Sequence, residues 1–158
     1  MKNAGRMDMK NRIAGAVIAV VVLALMGCKQ KEGVTYVKNP DNAGEKLTPP
    51  GWATVARSEI ESGLSMSVFT ARCKLLYREA DWFVGCKPAT SETPFMLYSI
   101  RENEALKGSF AATAITKQAR RYTHQNVLLR QIAQPKDGDY AALNIDTLQQ
   151  EYDALTGA

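Results

Sequence analysis

The stretch "SVFTARCKLLYREADWFVGCKP" constrains the fold of this chain more than any other. If Arg78-Glu79-Ala80-Asp81 is a chain reversal, Tyr77 faces Trp82, Leu75 faces Val84, and Cys73 faces Cys86. Alternate side chains share a face of a strand. One face therefore carries Cys73, Leu75, Tyr77, Trp82, Val84 and Cys86, all apolar. The other carries Lys74, Arg78, Asp81 and Lys87, with Leu76 and Phe83 as exceptions. This predicts a β-hairpin with an aromatic cross-strand pair, which contributes roughly 0.2–1 kcal/mol. Glu79-Ala80 lacks the Asn-Gly chemistry of a two-residue turn, so a longer loop is expected. A helix through residues 69–77 is the alternative reading.

The start of the chain carries a different signal. Ile13 to Met26 is a run of 14 residues without charge, preceded by Lys10 and Arg12, with Lys2 and Arg6 further out. A membrane-crossing helix needs roughly 20 apolar residues, whereas this length fits the apolar middle of a secretory signal peptide. The run ends in Leu25-Met26-Gly27-Cys28 and polar sequence follows at once. That tetrad resembles the lipobox of bacterial lipoproteins, with Met26 a less usual occupant of its position. The resemblance covers residues 1–28 and implies diacylglyceryl transfer to the Cys28 thiol, cleavage before Cys28, and acylation of the new amino group. Lys29 stands where enterobacterial lipoproteins retained in the inner membrane tend to carry Asp, so it resembles an outer-membrane-sorted case facing the periplasm. Met9, followed by Lys10-Asn11-Arg12, is an alternative start.

Export changes how the composition reads. The chain has a net charge of +4, but residues 1–27 hold four basic residues against Asp8, leaving the mature part at only +1. A nucleic-acid partner thereby loses its electrostatic support. In an oxidising compartment the even pair Cys73 and Cys86 reads as a disulfide, worth about 3 kcal/mol for so short a loop. Two buried free thiols are the alternative.

Three regions follow from these signals: a signal peptide over residues 1–27, a lipidated and polar tether over 28–51, and a folded domain over 52–158. The tether reading rests on Asn39-Pro40-Asp41-Asn42 and Thr48-Pro49-Pro50-Gly51, which offer no core. Residues 34–37 are a candidate short strand within it. Beyond it, Ala53–Leu64 reads as a helix broken at Gly63, and residues 95–100 as a third strand. Next, "GSFAATAITKQARRYTHQ" reads as an amphipathic helix capped by Ser109, with Ala111, Ile115, Ala119 and Tyr122 on one side. Lys117, Arg120, Arg121 and His124 fall on the other, at i, i+3, i+4 and i+7. Residues 127–132 are ambiguous between strand and helix, ending at Pro135, and Lys136–Asp139 reads as a turn. A last helix is expected to start at an Asp146 cap, with Gln149 in the capping-box position and Gly157 beyond its end. The fold class is α+β: a small antiparallel β-meander, built on a disulfide-braced hairpin and packed by one or two helices.

Catalytic signals are sparse. His124 is the single histidine, and it lies among cations with no carboxylate or nucleophile at a useful spacing. Gly63-Leu64-Ser65-Met66-Ser67 lacks the closing glycine of a nucleophile elbow, and Glu59 and Glu61 do not share a helix face. No phosphate loop, haem attachment or metal-ligand motif is present, so no cofactor and no metal is expected. The stripe Lys117/Arg120/Arg121/His124 has two readings, a solvated face balanced by acids elsewhere or a dock for an anionic surface. The organisation resembles that of accessory lipoproteins of secretion, pilus and conjugation machines. The expectation is a lipid-anchored, non-enzymatic envelope module with a protein partner. A surface-exclusion or inhibitor lipoprotein is the next reading, and a cell-wall enzyme the least favoured.

Overall fold

The computed structural model describes residues 37–42, 44–135 and 142–155. Cys28, the lipobox, the turn expected at Lys136–Asp139 and Gly157 lie outside them.

Along the chain run β1 (Val37–Lys38), β2 (Lys46–Leu47), α1 (Gly51–Ser67), β3 (Ala71–Arg78) and β4 (Asp81–Pro88). Then come β5 (Met96–Glu102), β6 (Phe110–Ala114), α2 (Lys117–Gln125), α3 (Val127–Ile132), β7 (Ala133–Pro135) and α4 (Ile145–Ala154). The fold is α+β. A five-stranded sheet has the order β3-β4-β5-β6-β7, and β1 and β2 form a separate antiparallel pair.

The β3–β4 hairpin has the expected register: Cys73 opposes Cys86, Leu75 opposes Val84, and Tyr77 opposes Trp82. The two aromatic rings meet edge-on at 5.0 Å, and Cys73 and Cys86 form a disulfide. The turn corrects the expectation of a longer loop. Only Glu79 and Ala80 lie between the strands, with φ of 52° and 64°, the conformation that two-residue hairpins demand. This turn makes Arg78 and Asp81 a hydrogen-bonded pair. Alternation then makes Cys73 and Cys86 a non-hydrogen-bonded pair, the type whose side chains approach most closely. Their Cα atoms are 4.2 Å apart.

The sheet is larger than the expected meander, and it ends in a parallel strand. Residues 110–114, expected to open an amphipathic helix, are β6, paired antiparallel with β5 and parallel with β7. Alanine favours helix locally, but here both edges of the segment find ladder partners. Ala112 and Ala114 alternate inward and are buried. Thr116, not Ser109, caps α2 through a bond from the Ala119 N–H at 3.3 Å.

Both faces of the sheet are covered, and the described residues include four helices rather than one or two. On one face Ala53, Ala56, Ile60 and Leu64 of α1 pack with Cys73, Leu75, Val84, Tyr98 and Ile100, joined by Ala119 of α2 and Leu129 of α3. On the other, Leu148 and Tyr152 of α4 pack with Leu76, Phe83, Phe95, Leu97 and Ile115. Leu76 and Phe83 therefore stop being exceptions: their face is a second core. Gly85 beside them lets α4 approach, since a Cβ there would lie 3.0 Å from Phe95, 3.1 Å from Leu76 and 3.1 Å from Tyr152.

Two helix ends differ from expectation. α1 continues through Gly63 to Ser67. Gly63 is the place where α3 crosses it, and a Cβ would sit 2.9 Å from Leu129 Cδ2. Asn144, not Asp146, caps α4 by accepting the Thr147 N–H at 3.0 Å. Asp146 instead lies in the first turn, where its charge suits the helix dipole.

Part of the segment read as tether is folded. Val37 is buried against the main core, Lys38 and Lys46 pair across β1–β2, and the Asp41 carboxylate accepts the Glu79 N–H at 2.9 Å. Polar composition concealed this because the hairpin is held largely by its own polar groups, Asn39 and Asn42 each donating to the Glu45 carboxylate, with Val37 the buried apolar contact. Among the described residues no helix is long and apolar enough to cross a membrane.

Candidate functional site

The cationic stripe is set by how α2 is held. The Thr116 hydroxyl accepts the Leu97 N–H at 3.2 Å as well as that of Ala119, fastening the start of the helix to β5. Ala119 and Thr123 are buried, and Tyr122 packs edge-on against Phe69 at 5.6 Å. These inward contacts turn Lys117, Arg121 and His124 out to solvent, with Arg120 half-buried beside them. The helical spacing seen in the sequence thus corresponds to one real face. Beneath it lies the Tyr98 hydroxyl, buried opposite Thr123 and pushed up to about 12 by burial, an effect that Thr123 tempers.

No Asp or Glu occurs between Glu104 and Asp137. The ion pairs found among the described residues lie elsewhere: Arg57–Glu61, Arg78–Glu151, Lys87–Glu92 and Lys87–Asp153. Lys117, Arg120 and Arg121, together with Arg130 on α3, form none of these pairs. The charge on α2–α3 is therefore of a single sign over both helices.

Next to this stripe the surface turns apolar. Asn126 caps α3, accepting the Leu128 N–H at 2.8 Å and the Leu129 N–H at 3.2 Å. Its amide also donates to the Ser67 hydroxyl at the end of α1. This joint places the end of α1 beside the start of α3. Around it Met66 is 75% exposed, Val127 60%, Leu128 41% and Val68 36%. An Asn directly before an apolar run is a helix-start signal, so the α3 cap was legible in the sequence. The apolar cluster was not, because it draws on two elements some 60 residues apart.

A second feature is a cavity of about 520 Å³ between the β1–β2 hairpin, β3 and the end of α4, bordered by Val37, Pro40, Leu76, Tyr77 and Leu155. A third is the buried Lys87 ammonium, bonded to Asp153 at 2.7 Å and Glu92 at 3.2 Å. Burial alone would lower its pKa, but these two carboxylates outweigh that and raise it. With its charge so answered, Lys87 is a fastening for α4. Among the described residues no cluster of three or more His, Cys, Asp or Glu could hold a metal ion. Comparison with protein families, characterised proteins and solved structures finds no match to this chain.

Proposed function

We propose that this chain is a lipid-anchored cell-envelope protein whose folded domain is a non-enzymatic binding or assembly module, docking an anionic partner through α2–α3. The observation that carries the docking face is its single sign of charge, with Lys117, Arg120, Arg121 and Arg130 in none of the ion pairs of the described residues. Anchoring is supported by Leu25-Met26-Gly27-Cys28 after a charged flank and a 14-residue apolar run, and Lys29 favours the outer membrane. A lipid anchor confines the domain to a surface and raises its effective concentration for a neighbour there. Such a role fits an accessory of a secretion, pilus or conjugation apparatus.

The anchor and the dock are tested separately. Cys28→Ser is expected to accumulate as an uncleaved, unlipidated precursor; normal processing of that variant removes the anchor from the reading. Crosslinking in living cells, followed by purification through a C-terminal tag, is expected to recover defined envelope subunits with the wild type. The Arg120→Glu/Arg121→Glu variant should lose them while fractionating with the membrane as before. Equal recovery with that variant would assign the stripe to solvent.

A further inference from the structure

We infer that the docking surface is larger than the basic stripe, that it includes Met66, Val68, Val127 and Leu128, and that its occupant is an acidic amphipathic segment of a protein rather than a lipid surface. The inference rests on the anchored-module reading and adds the chemistry of the partner.

Composition supplies the first argument. Four exposed apolar side chains around the Ser67–Asn126 joint adjoin two helices that carry only positive charge. Single exposed apolar residues are ordinary, whereas a cluster rimmed by polar groups marks an interaction site. Arg and Met are also enriched in the cores of protein interfaces. A complementary partner needs carboxylates to face Lys117, Arg120, Arg121 and Arg130, and apolar side chains to cover Met66 and Leu128.

Construction supplies the second argument. The Asn126–Ser67 bond fixes the end of α1 to the start of α3, and Gly63 of α1 lies against Leu129 of α3, so the exposed apolar side chains sit on two packed helices beside the cations. A segment with apolar side chains on one face and carboxylates on the other answers both parts of that surface in one contact. Phospholipid is the competing occupant that the test reads.

The test places a photo-crosslinking amino acid at Leu128, and separately at Lys38 on β1, outside the proposed surface, in the full-length protein in cells. Adducts are mapped to the crosslinked peptide or lipid by mass spectrometry. The Leu128 probe is expected to yield a discrete protein adduct whose crosslinked peptide carries an excess of Asp and Glu. Combining it with Arg120→Glu/Arg121→Glu should lower that adduct about tenfold or more, as reversing contacts across a charged interface does. Phospholipid adducts at Leu128 would overturn the inference, as would a protein adduct indifferent to the charge reversal or the absence of any Leu128 adduct. Retained disulfide formation in each variant verifies the fold. Failure of the anchor shows separately, as loss of membrane fractionation in wild-type protein.

Discussion

Cys73 is bonded in two directions: its sulfur turns inward to Cys86, and its backbone N–H turns outward to the Glu61 carboxylate at 2.8 Å. Both follow from its place on β3. A non-hydrogen-bonded position brings the two sulfurs together, and on an edge strand the same geometry points the N–H away from the sheet. Four residues further along α1, Ser65 accepts the Ala71 N–H at 3.0 Å. One helix thus answers two open donors of a strand edge that would otherwise invite pairing with another chain.

Glu61→Ala should cost about 1 kcal/mol, a modest value because the carboxylate is partly exposed and its surface pair with Arg57 contributes little. Urea unfolding measures the loss, and light scattering should report more self-association than in the wild type. A variant as stable and as monodisperse as the wild type would show that the edge needs no such cover.

Loss of the disulfide should cost about 3 kcal/mol in the chain-entropy model. The Cys73→Ala/Cys86→Ala protein and reduced wild type should unfold at nearly the same urea concentration, both well below the oxidised protein. Coincidence of all three curves would mean that the hairpin is held by its ladder and aromatic pair alone.

The turn offers a gain. Glu79 and Ala80 both sit at positive φ, where residues with a Cβ are strained. Glu79→Asn/Ala80→Gly supplies the chemistry this turn prefers and should raise stability by about 1 kcal/mol. A lower unfolding midpoint would show that the Glu79 N–H bond to Asp41 depends on the native turn residues.

The fastening of α4 should respond unequally to its two ends. Lys87 is the buried partner, its side chain 5% exposed against 43% for Asp153. Asp153→Asn leaves a buried ammonium with Glu92 as its one carboxylate, beside the Tyr152 ring, and should cost about 2 kcal/mol; Lys87→Met leaves carboxylates that water can reach, and should cost less. Alkali should act on the same network. Lys87 is held above its usual value by its carboxylates, against burial. Burial raises Tyr152, and raises Tyr98 to about 12. The folded protein keeps these protons where the unfolded chain releases them, so their stabilisation is complete below about pH 10 and is lost as pH rises through the higher folded values. Lys74, lowered chiefly by burial, works the other way as it loses its proton. The unfolding midpoint should fall between about pH 10 and 12, and fall less in Lys87→Met. A flat profile in the wild type would remove Lys87 from the linkage.

How far the fold could be read depended on how local each signal was. The hairpin and its register were legible because a period-two pattern, a reversal and two cysteines all lie within 22 residues. The cationic stripe was legible for the same reason, since i, i+3, i+4 and i+7 positions share a helix face once the helix exists. What the chain does at residues 110–114 was not. An alanine-rich segment carries a weak helical preference, and only β5 on one side and β7 on the other made it a strand. Gly63 looked like a helix breaker until α3 supplied the reason for a missing Cβ. The sequence by itself determined one hairpin, its disulfide partners and one charged helix face. The tertiary structure alone decided that Leu76 and Phe83 line a second core, that Val37 packs against the main core, and that the end of α1 bearing Met66 is bonded to the start of α3 bearing Leu128. Those outcomes depend on contacts between distant segments, whose energies appear only when the segments are brought together.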